Sequence, residues 1–206
     1  MLSPLFKGVN WNHISSVGFD MDGTLYDEFD FIKQVYSEIN KQLILNDSIL
    51  SFMTKRWLEK GSSYPLIFSE AYDKCKSTFD EKEDFVKKAL DIYRNFSPKI
   101  SLNDRNKKLM SYFQENFKLY LITDGNHELQ KKKFASLGLS KYFDNENIVF
   151  TGAYKSDYHK PKNKSLELID INVDNSVFFG DRDVDKEFAL SSNIQFIRVH
   201  NMLEVS

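Results

Sequence analysis

The stretch Val17-Gly-Phe-Asp-Met-Asp-Gly-Thr-Leu25 decides the fold of this chain. A short β-prone run passes directly into aspartate, glycine and threonine, which is typical of a buried parallel strand that enters a loop. We therefore predict a first strand over residues 15–20, with Asp20 and Asp22 at its carboxyl end.

Two different patterns follow this strand. From residue 27 to about residue 95, apolar side chains recur at helical spacing in four segments, as in Phe31, Val35 and Ile39. After Pro98 helices and strands alternate. The predicted strands cover 118–123, 147–151, 176–180 and 195–199, and the predicted helices cover 103–116, 127–137, 162–171 and 184–192.

This alternation predicts an α/β fold, because parallel strands need crossover connections that place helices on both faces of the sheet. We expect a Rossmann-like parallel sheet built from residues 1–26 and 96–206. The all-helical segment 27–95 is then a lobe inserted after the first strand.

Composition narrows the classes of function. The chain has 206 residues, 41% of them hydrophobic, which suits one full core with a smaller lobe. With a formal net charge of -2, the chain lacks the overall basic character that nucleic-acid binding usually needs. The run Lys131-Lys132-Lys133 is interpreted as a solvated helix face. The single Cys75 and the absence of an apolar run of about 18 residues predict a cytoplasmic protein without a membrane anchor. The sequence does not indicate an oligomeric state.

Polar residues follow three of the predicted strands. Ligands bind open α/β sheets at the carboxyl ends of the strands, so residues distant in sequence should meet there. The residues concerned are Asp20, Asp22, Thr123, Asp124, Gly125, Asp181, Asp183 and Asp185, with Lys160 on the same side.

Such a group of carboxylates calls for cations, since two carboxylates about 4 Å apart repel by on the order of 4 kcal/mol at an effective dielectric near 20. Oxygen ligands alone favour a hard ion, and Mg²⁺ suits one or two carboxylates, a carbonyl, waters and a phosphate. In phosphate transfer Asp20 can act as the nucleophile. Asp22 can protonate the leaving oxygen, for which its pKa would need to be raised by neighbouring carboxylates.

Four short motifs, in order, resemble those of the haloacid dehalogenase-like hydrolase superfamily in its phosphatase branch. The first is Asp20-Met-Asp-Gly-Thr24, and the second is Thr123 in Leu121-Ile-Thr-Asp-Gly125. The third is Lys160-Pro161, and the fourth is Gly180-Asp-Arg-Asp-Val-Asp185. The resemblance covers nearly the whole chain.

The resemblance implies a role for each of these residues. Asp20 would be the nucleophile and a metal ligand, Asp22 the general acid/base with its backbone carbonyl on Mg²⁺, and Asp181 the other carboxylate ligand. Thr123, Asp124, Gly125 and Lys160 would hold the phosphoryl group, and Asp185 would hold Lys160 or a metal-bound water. Asp124 departs from the asparagine often seen there, and its acid should be turned away from the phosphate. The lobe 27–95 resembles the family's helical first-type cap.

The expected reaction is hydrolysis of a small phosphate monoester, of the nucleotide or sugar phosphate class, through an aspartyl-phosphate intermediate. A phosphomutase would use the same residues and return the phosphoryl group to its substrate. A dehalogenase needs neither an acid at Asp22 nor Mg²⁺ and is therefore disfavoured. A catalytically silent binding protein of the same fold is the remaining alternative, which the intact motifs oppose. The sequence assigns no role to Asp183, His127 or His159.

Overall fold

The chain forms two compact units in a computed structural model that describes residues 6, 8–75, 81–200 and 204–205. One unit comprises residues 1–28 and 99–206, and the other comprises residues 29–98. The lobe was expected over 27–95.

The larger unit has the expected α/β fold, with strands and helices alternating along the chain. Its strands are β1 (Ser16–Phe19), β2 (Lys118–Thr123), β3 (Ile148–Phe150), β4 (Ser176–Gly180), β5 (Gln195–His200) and β6 (Glu204–Val205). Its helices are α5 (Asp104–Asn116), α6 (His127–Ser136) and α7 (Asp183–Ser191).

The strands form one sheet in the order β3-β2-β1-β4-β5-β6, in which the first five are parallel and β6 is antiparallel. β1 lies between β2 and β4, and Phe19 is in register with Leu121 on one side and Phe179 on the other. The carboxyl ends of β1, β2 and β4 therefore meet at one edge of the sheet, as predicted.

Both faces of the sheet are covered by helices, and the two adjacent phenylalanines of β4 show how. Phe178 packs edge-on against Phe188 of α7, with ring centroids 5.1 Å apart. Phe179 packs against Phe113 of α5 at 5.5 Å. Because successive side chains of a strand point to opposite faces, α5 and α7 lie on opposite sides of the sheet.

The smaller unit contains the four helices that the apolar spacing predicted. They are α1 (Glu28–Gln42), whose first residue belongs to the larger unit, α2 (Asp47–Lys60), α3 (Ile67–Lys74) and α4 (Lys82–Asn95). Asn46 caps α2 by accepting hydrogen bonds from the backbone of Ser48 and Ile49. Among the residues described, no helix has both the length and the apolar character needed to cross a bilayer.

The predicted helix over 162–171 is wrong. The structure has only a short 3-10 helix at Lys164–Leu168, after which the backbone is extended at Ile169. Leu166 and Ile169 are three residues apart, whereas Ile171 and Val173 continue with a spacing of two; all four pack at one cluster of the sheet core. Leu166, Ile169 and Val173 have the spacing of one helix face, but Ile171 would lie on the opposite face of an α-helix. The extended chain after Leu168 brings Ile171 to the same cluster, which an α-helix would not do.

Candidate active site

A buried lysine joins the ends of β1 and β4. Lys160 Nζ lies 2.6 Å from Asp20 Oδ1 and also contacts Asp185 Oδ1, and none of the three side chains is more than 1% exposed. Asp20 follows β1 directly, and Asp185 lies in the first turn of α7, where its other oxygen accepts the backbone N–H of Arg182 at 3.1 Å. The fold therefore brings Lys160 next to Asp20, 140 positions earlier in the chain, and Asp185, 25 positions later.

Asp181 completes a cluster of carboxylates with Asp20 and Asp185. One oxygen of each lies within 4.8 Å of the others. Gly23 makes this approach possible: its φ is +74°, and a Cβ added there would lie 2.7 Å from Asp181 Cγ. An alanine would therefore overlap the carboxylate as well as strain the backbone.

Burial and a neighbouring negative charge raise the pKa of two of these carboxylates, Asp20 and Asp181. Burial raises the pKa of Asp20, Lys160 opposes the rise, and Asp185 adds to it. The pKa of Asp181 is raised to about 6, chiefly by burial and, to a lesser extent, by Asp185. Burial disfavours the charged form of Lys160, but the adjacent Asp185 and Asp20 outweigh it and raise the pKa of the lysine. The site thus has more buried negative charge than Lys160 alone neutralises.

The donor set fits a hard divalent cation. Asp20 Oδ2 and Asp181 Oδ1 are buried, and neither accepts a hydrogen bond from any residue that the structure describes. Buried carboxylate oxygens normally have a partner. An ion such as Mg²⁺, which prefers oxygen ligands, would supply one for both.

Asp22 belongs to a second group of contacts, on the side of β2 and α6. Its Oδ1 accepts hydrogen bonds from Lys133 Nζ at 2.8 Å and from the Tyr26 hydroxyl, and its Oδ2 accepts one from Gln130 Nε2 at 2.7 Å. Burial alone would raise the pKa of Asp22, but Lys133, Tyr26 and Gln130 together lower it. The expectation of a raised pKa is therefore wrong for this arrangement, because the nearest groups are donors and a cation, not carboxylates.

Lys133 and Gln130 are site residues that the sequence analysis missed. Lys133 is only 3% exposed, so the interpretation of Lys131-Lys132-Lys133 as a solvated face is wrong for its third member. The available signal was the spacing: Gln130 and Lys133 are three residues apart, on one face of the helix that follows Thr123.

The second motif lies in the loop between β2 and α6. Thr123 Oγ1 is 2.8 Å from Gln130 Nε2. The Asp124 carboxylate accepts hydrogen bonds from Thr151 Oγ1 at 2.6 Å and from the Lys160 backbone at 3.3 Å. Gly125 has a φ of +126° and is exposed. The side-chain carboxylate of Asp124 is thus hydrogen-bonded to Thr151 and to the backbone of Lys160, and the backbone carbonyl of Asp124 accepts a hydrogen bond from Gln130.

Three residues near the motifs have no assigned role. Asp183 is 87% exposed at its side chain and pairs with Arg198. The ring of His127 stacks on Phe150 at 5.9 Å. His159 is half-buried, and its Nε2 has no hydrogen-bond partner among the described residues.

Comparison with known proteins gives the family. The model of the haloacid dehalogenase-like hydrolases matches residues 14–193. A glyceraldehyde 3-phosphate phosphatase of Methanocaldococcus jannaschii is 26% identical over 196 residues, which cover 90% of this chain and 84% of the relative.

Two solved structures share the fold. One, of Thermotoga maritima, is provisionally assigned as a β-phosphoglucomutase: the TM-score is 0.68 at 22% identity, with 91% of this chain and 86% of that chain covered. The other is the Bacillus subtilis hydrolase YfnB bound to magnesium, with a TM-score of 0.65 at 16% identity and coverage of 90% and 86%. At these identities the likeness is one of fold.

Proposed function

The chain belongs to the haloacid dehalogenase-like hydrolase family, and we propose that it is a Mg²⁺-dependent phosphatase that forms an aspartyl-phosphate on Asp20. The observation that carries the proposal is the state of the Asp20 carboxylate. It is fully buried at the end of β1, with Oδ1 on Lys160 and Oδ2 without a hydrogen bond from the residues described. A buried carboxylate oxygen that is left unbonded beside a fixed cation suits a nucleophile that attacks an anionic phosphate.

The reaction has two steps. An oxygen of Asp20 attacks phosphorus, the bond from phosphorus to the leaving oxygen breaks, and that oxygen takes a proton from Asp22. Lys133, Tyr26 and Gln130 lower the pKa of Asp22 in the free protein, and the negative charge of a bound phosphate would raise it, so that Asp22 would take up its proton when the substrate binds. Water then attacks the phosphorus of the aspartyl-phosphate and gives a proton to Asp22. The bond from phosphorus to the Asp20 oxygen breaks, which restores the Asp20 carboxylate and releases inorganic phosphate.

Asp20, Asp181 and the backbone carbonyl of Asp22 would hold the metal ion, and Asp185 would fix Lys160. The ion supplies positive charge that offsets the carboxylates and the phosphoryl oxygens. Two buried oxygens without hydrogen-bond partners among the described residues, and a pKa of about 6 for Asp181, support a cation at this place. Arg182 Nε lies 3.8 Å from Asp181 Oδ1, so the cations Lys160 and Arg182 together still leave a surplus of negative charge from the three carboxylates.

Thr123, the backbone of Asp124 and Gly125, and Lys160 would bind the phosphoryl group. Lys160 Nζ is already beside Asp20, so its charge would lie close to a phosphoryl group transferred to that residue. The Asp124 carboxylate bonds to Thr151 and the Lys160 backbone, which would keep its charge away from the bound dianion.

The substrate would be a small phosphate monoester, of the nucleotide or sugar phosphate class. The sequence relative named a glyceraldehyde 3-phosphate phosphatase supports a small phosphorylated metabolite. The four helices α1–α4 would form the cap that selects the leaving group. The lone thiol of Cys75, which is buried and free, suits the reducing cytoplasm.

A phosphomutase is the second candidate, favoured by the fold shared with the Thermotoga maritima protein. It would use the same aspartate. Release of free phosphate from a monophosphate, without a bisphosphate activator, distinguishes hydrolysis from this alternative.

Replacement of the nucleophile tests the proposal. We expect the wild type to release phosphate from members of a panel of nucleotide and sugar phosphates with Mg²⁺, and to stop when EDTA is added. Asp20→Asn should lose at least about 10³-fold in kcat, because the covalent step needs the carboxylate. Asp183→Asn, an exposed carboxylate paired with Arg198, serves as the matched control and should retain activity. Full activity of Asp20→Asn would disprove the mechanism.

A further inference from the structure

Helix α6 contributes two buried polar side chains, Gln130 and Lys133, which are 2% and 3% exposed. Burial of an ammonium group or an amide is costly unless its hydrogen bonds are made inside the protein. Both side chains bond to Asp22, which follows β1 more than 100 residues earlier. The helix and the motif loop therefore hold each other in place.

Three donors fix the orientation of the Asp22 carboxylate. Lys133 Nζ and the Tyr26 hydroxyl bond to Oδ1, and Gln130 Nε2 bonds to Oδ2. Because both oxygens are engaged from different directions, rotation of this carboxylate would break at least one hydrogen bond to a buried group. Asp22 is therefore held in place chiefly by α6 and by Tyr26.

Gln130 also ties Asp22 to Thr123. Its Nε2 lies 2.7 Å from Asp22 Oδ2, 2.8 Å from Thr123 Oγ1 and 2.9 Å from the Asp124 carbonyl oxygen. The carboxylate and the carbonyl can only accept, so the amide nitrogen must face this group. The amide has two N–H protons, and these two obligate acceptors take them. Thr123 Oγ1 can share one of these protons only in a three-centre hydrogen bond, and its own hydroxyl proton stays available for another acceptor, such as a phosphoryl oxygen.

We infer that Gln130 and Lys133 are positioning residues that hold Asp22 in register with Thr123, so that a proton can pass between Asp22 and the leaving oxygen of a phosphate bound at Thr123. The inference rests on the proposed phosphatase function. Neither residue is assigned contact with the substrate. The effect of Lys133 should therefore appear in the proton transfer that Asp22 performs, whereas Gln130, which also lies against Thr123 and the Asp124 carbonyl, should affect phosphate binding as well.

The dependence on the leaving group tests this role. We compare kcat/KM for glycerol 2-phosphate, whose alkoxide needs a proton, with kcat/KM for p-nitrophenyl phosphate, whose phenolate leaves without one. Lys133→Met and Gln130→Met should each lower the value for glycerol 2-phosphate by roughly 10- to 100-fold, which is part of the usual contribution of general acid catalysis. For p-nitrophenyl phosphate the change in Lys133→Met should stay within about 3-fold, since no acid is required. Gln130→Met should lose less on p-nitrophenyl phosphate than on glycerol 2-phosphate.

Two controls separate positioning from general damage. Lys131→Met replaces an exposed lysine of the same helix and should leave both values unchanged. Lys133→Arg restores the cation and should recover part of the lost kcat/KM for glycerol 2-phosphate.

A double variant covers the case in which Lys133→Met does not fold. Asp22→Asn with Lys133→Met removes both members of the buried ion pair, so neither charge is left uncompensated. The ratio of kcat/KM for glycerol 2-phosphate to kcat/KM for p-nitrophenyl phosphate should be the same in this double variant as in Asp22→Asn alone.

Four outcomes would overturn the inference. These are an equal loss on both substrates, no loss on glycerol 2-phosphate, a comparable loss in Lys131→Met, or a further loss in the double variant. If the wild type releases phosphate neither from these two substrates nor from any member of the panel of nucleotide and sugar phosphates, the proposed function fails and this inference fails with it. If only the positioning inference fails, the wild type is active and the variants leave the ratio of kcat/KM for glycerol 2-phosphate to kcat/KM for p-nitrophenyl phosphate unchanged.

Discussion

The residues of the carboxylate cluster depend on one another for their charge. Lys160 pairs with Asp20 and Asp185, and all three side chains are shielded from water. Desolvation of an ion costs several kcal/mol, so such a group persists only when its charges and hydrogen bonds compensate one another. The surplus of carboxylates over Lys160 is the physical reason for expecting a cation beside Asp181.

Gly23 is a residue whose missing side chain matters. We predict that Gly23→Ala loses activity by more than about 10-fold, because the new Cβ would displace the Asp181 carboxylate and small displacements of reacting groups are costly. The substitution should also destabilise the fold by about 1 kcal/mol, owing to the positive φ. Urea unfolding and a steady-state assay measure the two effects.

Gly61 provides the matched control, since it has a φ of +75° and nothing within 4 Å of an added Cβ. Gly61→Ala should lose similar stability while it keeps its activity on p-nitrophenyl phosphate. If both variants keep full activity, contact between Gly23 and Asp181 is not needed for function.

Among the elements, α6 links the second motif to Asp22. The helix begins at His127, four residues after the end of β2 at Thr123, and Asn126 caps it by accepting the backbone N–H of Leu129 at 3.1 Å. Gln130 then lies one turn into the helix, where it reaches Thr123 and Asp22. The start of α6 therefore sets where Gln130 and Lys133 lie.

We predict that Asn126→Ala lowers the free energy of unfolding by about 1 kcal/mol, the usual effect of removing an N-cap, and also lowers kcat/KM. The activity falls because the first turn of α6 loses its anchor next to the loop 123–125. Urea denaturation and the p-nitrophenyl phosphate assay measure the two effects.

Asn103 caps α5 in the same way, by accepting the backbone N–H of Asn106 at 2.7 Å. Asn103→Ala should cost similar stability and leave kcat/KM within about 2-fold, because α5 carries none of the proposed site residues. An equal loss of activity in both variants would show that activity follows overall stability and not the start of α6.

For the whole molecule, the charge imbalance of the site predicts that Mg²⁺ stabilises the fold. An ion that binds only the folded state adds about 2.7 kcal/mol at a concentration 100 times its Kd. We therefore expect Mg²⁺ to raise the midpoint of thermal unfolding of the wild type. Asp181→Asn should abolish the shift, and the exposed Asp183→Asn should retain it. An identical shift in both variants would place the ion elsewhere.

Most of the fold follows from local patterns in the sequence. The five parallel strands, to within one residue at each end, the four helices of the smaller unit and the parallel sheet were predictable because buried strands and amphipathic helices differ in the period of their apolar residues. The order of the strands in the sheet and the short antiparallel strand β6 were not predicted. The rule that ligands bind at the carboxyl ends of parallel strands placed Asp20 and Asp181 at one edge. Segment 162–171 was wrongly predicted because Leu166 and Ile169 have helical spacing, whereas Ile171 reaches the same surface only from an extended chain.

The environment of each charged side chain was decided by the tertiary structure alone. By sequence, Lys131, Lys132 and Lys133 look alike, yet the packing of α6 beside the ends of β1 and β2 buries only the third of them and pairs it with Asp22. The same packing surrounds Asp22 with donors and lowers its pKa, contrary to expectation. Sequence by itself determined the acids of the motifs and Lys160, because motifs and strand ends are local, but it did not determine Lys133. Which of them neutralise one another depends on distances between residues that are far apart in the chain, and folding alone sets those distances.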